Sequence, residues 1–367
     1  MNTYLPWILL FAAAQAALSL IQFLFRNRKP RTGWHIVWIV LKALLAVALA
    51  FLVMAGPVFL RPVQILLVAL YAVLLPDAAA DLLYSLLCRI RRRERRFAPQ
   101  KLLSLALGLL FFVYGTVNMQ IVTPERHTFT SEKLTQAHTV VFVSDLHVGS
   151  SQSMETTRRT IRSIADAHPD FVILGGDITD DYTSKEEMEE TCRLFGGLGV
   201  PVYFIDGNHE VVQHPEYLPD GLPYTEQELM DAMERSGILV LKDAYAEPAP
   251  DLLLLGREDA AAGEQRLPVS ELSNPAPDKF LLVADHQPGS IREHLSLGAD
   301  LQLSGHTHAG QLFPLQAVYS LFIDAYGVYP YDDAVLYVSA GASGWRVPFR
   351  TDAHSHFDVI TLQPKDA

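Results

Sequence analysis

Five short clusters in the C-terminal two thirds of the chain carry residues able to hold metal ions. They are Asp145-Leu146-His147, Gly176-Asp177, Gly207-Asn208-His209-Glu210, His286 and Gly305-His306-Thr307-His308. Carboxylates, imidazoles and one amide oxygen, with no thiolate, suit Mn²⁺, Fe or Zn²⁺ better than a soft-metal or closed structural site. The set is large enough for two adjacent ions. Two such ions roughly 3.5–4 Å apart can lower the pKa of a shared water and clamp both oxygens of an in-line displacement at phosphorus. An aspartate is the natural bridge, since its two oxygens can reach one ion each.

Each cluster follows a short apolar, β-branched run: Val140 to Val143, Phe171 to Leu174, Val202 to Ile205, Leu281 to Val283 and Leu301 to Leu303. Such runs predict buried strands. The more polar stretches Met154 to Ala167 and Ser184 to Phe195 read as helices between them, giving a βαβ-like order. The candidate ligands thus lie just past strand ends, where α/β folds place their sites.

These residues and spacings resemble the calcineurin-like metallophosphoesterase family, with its motifs D-x-H, G-D-x-x-D, G-N-H-[DE], H and G-H-x-H. The resemblance covers about Thr139 to Phe357, and Gly310-Gln311 extends the last motif as in membrane-anchored bacterial, phosphodiesterase-like members. It implies an α/β domain of two mixed β-sheets sandwiched between helices, and two metal ions. By the same resemblance Asp145, His147 and His308 look like ligands of one metal and Asn208, His286 and His306 of the other, with Asp177 as the bridge. His209 resembles the histidine that contacts the phosphate and helps protonate the leaving oxygen. Asp180 occupies the position of the carboxylate that orients it. An acid within reach of the leaving group is a general requirement of such chemistry.

Taken singly, Asp-x-His or Gly-Asp is more often a turn or a strand-end cap; the order and placement of all five clusters carry the reading. His127, His138, His168, His214, His294, His354 and His356 read as surface or loop residues, His214 with an alternative as a substrate contact. In Gly341 to Arg350, Arg346 or Arg350 could grip a phosphate oxygen through a bidentate contact, or either could be a solvated loop arginine. Asp285 is a partner of His286 or simply the end of its strand.

The N-terminal third is a different material. Leu5 to Phe25, Trp34 to Ala55, Val63 to Cys88 and Leu102 to Val122 each approach or exceed the roughly 20 apolar residues needed to cross a bilayer, so four membrane helices are expected. Arg26, Arg28, Lys29 and Arg31 follow the first span; Arg89, Arg91, Arg92, Arg93, Arg95, Arg96 and Lys101 lie between the third and fourth; the remaining loop has only Arg61. Basic loops stay cytoplasmic, which predicts both chain ends and the C-terminal domain on the extracytoplasmic face. Lys42, Asp77 and Asp81 are the ionisable exceptions within the spans. Asp77 and Asp81 share a helix face, and a pairing with Lys42 is one reading. In the other, Pro76 ends the span and leaves both aspartates near an interface.

The first 122 residues hold 13 Lys+Arg and 3 Asp+Glu; the rest hold 16 and 38, within an overall charge of −12. An acidic domain argues against nucleic acid as a partner. Cys88 and Cys192 are too few, and too far apart in the expected topology, for a disulfide framework. The chain divides into a transmembrane region (1–122), a linker (123–138) and the α/β domain (139–367). The stretches Val211 to Leu241 and Gly256 to Asp278 are candidates to shape a substrate site. The expected activity is that of a membrane-embedded binuclear phosphoesterase, favouring a phosphodiesterase for phospholipids or lipid-linked phosphoesters because tethering concentrates enzyme and substrate on one surface. A protein or small-molecule phosphomonoesterase, and a non-catalytic membrane sensor, are the rival readings.

Overall fold

A computed structural model of the chain describes residues 4–25, 32–54, 61–214, 218 and 221–365. They form two compact units, Met1–Val117 with Leu312–Leu315, and Asn118–Gln311 with Gln316–Ala367.

The first unit consists chiefly of helices α1 (Tyr4–Phe25), α2 (Thr32–Met54), α3 (Arg61–Ile90) and α4 (Phe97–Gln120), the last running a few residues past it. Large apolar side chains such as Leu24, Trp38, Leu44 and Leu110 point outward, a surface suited to lipid rather than water. Among the described residues, three helices are long and apolar enough to cross a membrane, and Ile8–Leu24 of α1 forms a shorter apolar helix. Pro76 does not end its span, because α3 continues to Ile90. Asp77 is fully buried. Its Oδ2 accepts from Lys42 Nζ at 2.6 Å and Gln22 Nε2 at 2.8 Å, and its Oδ1 from Lys101 Nζ at 2.8 Å and Ser104 Oγ at 2.5 Å. Lys42 also pairs with Asp81. All four helices therefore contribute to one polar knot. Lys101, grouped with the basic loop by sequence, belongs to α4 and to this knot. Arg26, Arg28, Lys29 and Arg31 lie outside the described residues.

In the second unit, one six-stranded sheet runs in the order β1, β12, β2, β3, β4, β5. Its strands are β1 (Thr123–Ser131), β2 (His138–Val143), β3 (Phe171–Gly175), β4 (Val202–Ile205), β5 (Leu239–Val240) and β12 (His356–Pro364). The other sheet has the order β10, β11, β9, β8, β7, β6, from β6 (Ala244–Ala249), β7 (Leu252–Gly256), β8 (Phe280–Ala284), β9 (Leu301–Ser304), β10 (Gly327–Tyr331) and β11 (Ala334–Val338). Strands β2, β3, β4 and β5 are parallel neighbours, as are β7, β8, β9 and β11. Both sheets are mixed, because β12 runs antiparallel to β2, β6 to β7 and β10 to β11.

Alternation along the strands explains the layers. Val140 and Phe142 of β2 point into a core shared with Ile173, Ile205, Leu254, Leu282 and Leu303, which fills the space between the sheets. Val141 and Val143 point the other way, against α5 (Met154–Asp166), α6 (Lys185–Gly196) and, beyond a short α7 (Asn208–Val211), α8 (Glu226–Arg235). With both faces covered, the central strands read as continuous apolar runs. Helices α6 and α8 start with reciprocal capping boxes, Ser184 with Glu187 and Thr225 with Glu228, which satisfy otherwise orphaned amides.

The expected linker contains a strand. Thr123–Ser131 pairs in parallel with β12 over nine residues. Its sequence TPERHTFTS hides it because β1 is an edge strand, alternating between half-buried and exposed positions, and Pro124 near its start is tolerated at such an edge. Val211 to Leu241 contains α8; residues 215–217 and 219–220 of that stretch lie outside the described residues.

Candidate metal centre

The C-terminal ends of β2, β3 and β4 in one sheet and of β8 and β9 in the other open onto one site. Asp145 and His147 follow β2, Asp177 follows β3, Asn208 and His209 follow β4, His286 follows β8, and His306 and His308 follow β9. Backbone bonds lock these turns together: Asp145 N donates to Gly176 O at 3.0 Å, His147 N to Asp177 O at 3.1 Å, and Gly305 N to His286 O at 2.9 Å. Asp145, His147, Asp177, His306 and His308 all have positive φ, between 44° and 73°. Non-glycine residues seldom adopt this region, and such strain, on the order of 1–3 kcal/mol each, gathers at functional sites. Glycines make the close approach possible: a Cβ on Gly207 would lie 2.2 Å from Asp177 Oδ1, and one on Gly305 2.3 Å from Asp145 Oδ2.

Two triads result. Asp145, His147 and His308 offer ligand atoms within 4.8 Å of one another, and so do Asp177, His286 and His306. His306 Nδ1 lies 2.8 Å from Asn208 Oδ1, which brings the amide to the second triad. His147 Nε2 is 3.7 Å from Asp177 Oδ2, so Asp177 stands between the triads.

The protons of three imidazoles are fixed by what they face. His147 Nδ1 meets the Asp180 carboxylate at 3.2 Å, His286 Nδ1 the Gly175 carbonyl at 2.8 Å, and His308 Nδ1 the Ser343 carbonyl at 3.3 Å. These oxygens only accept, so each Nδ1 donates and each Nε2 turns a lone pair toward the carboxylates. His147 Nε2 and His286 Nε2 are buried and make no hydrogen bond, although His286 Nε2 is only 3.2 Å from Asp177 Oδ2. Lone pairs converging without protons between them are what a metal ion requires. The electrostatics agree. Burial opposes ionisation of Asp145 and Asp177, yet the imidazoles around them hold both carboxyls below the ordinary range. Burial likewise opposes charging of His286, but Asp177 pulls it well up, so the place between Nε2 and Asp177 draws a positive charge, whether a proton or an ion. The cluster favours positive charge at its centre, and the donor set fits two divalent ions.

The sequence model of calcineurin-like phosphoesterases matches residues 138–310. The chain carries a calcineurin-like metallophosphoesterase domain. It is a metal-dependent phosphoester hydrolase. A transmembrane protein with metallophosphoesterase domain from Danio rerio is 28% identical over 370 residues, covering 91% of this chain and 81% of that protein. An uncharacterized metallophosphoesterase of Helicobacter pylori strain J99 is 28% identical over 242 residues, 64% of this chain and 62% of its own length. One from Bacillus subtilis is 25% identical over 247 residues, 61% and 78% respectively.

Within the metallophosphoesterase domain, several assignments from sequence change. Asp180 does not orient His209: its Oδ2 takes the His147 proton and the Ser150 hydroxyl, and its Oδ1 accepts from Tyr182 N at 2.9 Å. The carboxylate is used up on His147. His209 is instead held through its backbone, which donates to Asp177 Oδ1 at 2.9 Å, and its ring lies 5.2 Å from His147 and 4.8 Å from Trp345. Burial pushes this imidazole down to about 4. Arg350 is buried and donates to the carbonyls of His308 at 3.0 Å and Ser343 at 2.7 Å, among others; it braces the loop and does not face a substrate. Arg346 lies 3.7 Å over the Trp345 ring. Asp285 forms a two-pronged pair with Arg266, at 2.9 and 2.7 Å. His138, His294 and His356 are buried, contrary to expectation.

Two residues named only as members of motifs have roles that the fold alone shows. Glu210 accepts from the amides of Asp177 at 2.8 Å, Gly207 at 2.9 Å and Thr179 at 2.9 Å, setting the strained turn that presents Asp177. Burial and the nearby Asp177 charge push its carboxyl up to about 7. Gln311 uses one amide to hold a whole loop: its Nε2 donates to the carbonyls of Trp345, Val347 and Phe349, and its Oε1 accepts from Trp345 N at 2.8 Å. Their motif positions are the signal in the sequence; the partners, being backbone groups of distant turns, are not.

Proposed function

We propose that the chain is a membrane-anchored phosphodiesterase acting on a phospholipid or lipid-linked phosphoester at the extracytoplasmic face. The observation that carries the catalytic part is the pair of triads, buried but for the half-buried His306, with Asp177 between them. In this reading Asp145, His147 and His308 hold one ion, Asn208, His286 and His306 the other, and Asp177 both. When bound, the ions supply Lewis acidity that activates water and neutralises phosphoryl oxygens. Water attacks phosphorus in line and the ester P–O bond breaks; His209, which burial keeps neutral, relays the proton given up by the water to the departing oxygen. Trp345 packs beside His209 and carries Arg346 on its face, which puts a guanidinium within the loop that borders the acid and suits it to grip a non-bridging oxygen. Asp180 and Gly175 keep their histidines in the ligating tautomer.

The lipid assignment draws support from the apolar helices and from Leu321, Phe322 and Ile323, which are 76%, 81% and 51% exposed in the catalytic unit. Three adjacent exposed apolar residues cost solubility and suit a bilayer surface. The arginines at 91–96 after α3 support a cytoplasmic connection there, hence an extracytoplasmic domain.

Hydrolysis of an aryl phosphodiester by the purified chain with Mn²⁺, beside Asp177→Asn, tests the core of the reading; equal rates in the two proteins would refute it. Turnover of phospholipid in vesicles, compared with Phe322→Ser, tests the lipid assignment, which fails if the soluble diester and the vesicle substrate respond alike. A cytoplasmic C-terminal tag in an accessibility assay would overturn the sidedness.

A further inference from the structure

A second cluster in the catalytic unit has the same signature as the metal centre and belongs to none of the motifs. Glu125 on β1, His354 in the turn before β12 and His356 on β12 offer ligand atoms within 4.8 Å of one another. The parallel register sets Glu125 opposite Asp358 and Thr123 opposite His356, so the first strand of the unit meets its last strand here. His356 is fully buried. Its Nδ1 lies 3.2 Å from Glu125 Oε2, yet makes no hydrogen bond. That is the relation of His286 Nε2 to Asp177 Oδ2 in the metal centre. On the other side of the ring, Nε2 lies 3.3 Å from both Asp358 Oδ1 and Ser339 Oγ, with the Ala340 amide at 3.4 Å. Carboxylates flank both ring nitrogens, Asp358 at Nε2 and Glu125 at Nδ1, and the Ala340 amide donates to Nε2, so the Nδ1 side facing Glu125 is a position where a metal ion can replace a proton. His354 Nε2 completes the triad at 3.5 Å from Glu125 Oε2, with 48% of its side chain exposed. Tyr326 OH donates to Glu125 and holds the carboxylate in place.

We infer that Glu125, His354 and His356 form a further divalent-cation site, of zinc type, separate from the catalytic pair. One carboxylate and two imidazoles without a thiolate are common zinc donors, and the exposed side of His354 leaves a coordination position to water. The ion ties β1, an edge strand held on one side only, to β12, and so fastens the start of the catalytic unit to its end. The site is structural: its ligands lie in the β1–β12 edge and not at the strand ends that carry the catalytic triads.

The experiment is metal analysis of the full chain in detergent after stripping and dialysis against micromolar Zn²⁺. Wild type should hold one zinc more per chain than His354→Ala, whose replaced side chain is half exposed and dispensable to the core, and more than Glu125→Gln. The double variant Asp145→Asn/Asp177→Asn, which disables the catalytic pair, should still take up one zinc, and that zinc should raise its melting temperature. Equal zinc content in wild type and His354→Ala, or no uptake by the double variant while it remains folded, would overturn the assignment. Neither result depends on turnover, so failure here is distinct from failure of the proposed reaction.

Discussion

In the helical unit, Asp77 is enclosed by Lys42, Lys101, Ser104 and Gln22; in the catalytic unit, Asp145 and Asp177 are enclosed by imidazoles, and among the described residues neither has a lysine or arginine within ion-pair distance. Both regions bury carboxylates at a cost that something must offset. The helices do so with cations of their own, and every oxygen of Asp77 has a donor. The strand ends do so incompletely, with ring nitrogens whose protons have been steered to the far side. A cluster neutralised from within is structural and indifferent to metal, whereas a cluster left short of positive charge is built to acquire it.

The sharpest way to break this comparison is to remove one carboxylate from each region. Asp177→Asn should lower metal-dependent diester hydrolysis on the order of a thousandfold, the scale of losing a strong electrostatic contact in the transition state. Its stability in chelator should stay level or rise, because an undercompensated buried charge has gone. Asp77→Asn should do the opposite, destabilising the chain by about 3–5 kcal/mol with or without metal, since Lys101 loses its carboxylate and Lys42 keeps only Asp81. Thermal unfolding with and without chelator reads both, and the same response from the two variants would dissolve the distinction. Next in size, His209→Ala should lower turnover roughly a hundredfold or more with metal content unchanged by elemental analysis; loss of metal would make it a ligand rather than an acid. Asp180→Asn should act on binding first, weakening metal affinity roughly tenfold to a hundredfold, because His147 loses the acceptor that fixes its tautomer.

What could be read from sequence follows from how local each signal is. The strands β2, β3, β4, β8 and β9 announce themselves because both their faces are buried, and the candidate ligands are legible because each sits immediately after one of them. The partner of a side chain is another matter. Resemblance gives Asp180 to His209, yet only the folded turn shows its carboxylate against His147 Nδ1. Arg350 reads as a substrate clamp until its guanidinium is found among backbone carbonyls. Strand β1 reads as a linker because an edge strand keeps polar residues, so the sequence does not show the meeting of Glu125 with His354 and His356, more than 200 residues away. Gln22 and Lys101 joined Asp77 by the same kind of long-range closure, which periodicity within one helix cannot reveal.

The smallest expected effect probes a carboxylate in the catalytic unit that is neutralised in the manner of the helices. Asp251 accepts from the Thr135 amide and hydroxyl at 2.7 Å each and faces His138 Nε2 at 2.7 Å. Burial works against its ionisation, but Thr135 and His138 outweigh this and bring it down to about 2. A carboxyl lowered by folding lends stability that is complete above its unfolded pKa, about 4, and is lost as pH falls through its folded value. Asp251→Asn should therefore flatten the acid limb of the stability profile between about pH 4 and 2. That limb should be insensitive to chelator, unlike anything that depends on Asp145 or Asp177. If chelator shifts the Asp251 limb as well, the paired and the metal-seeking carboxylates of this unit are not independent, and the contrast drawn between them fails at its nearest point.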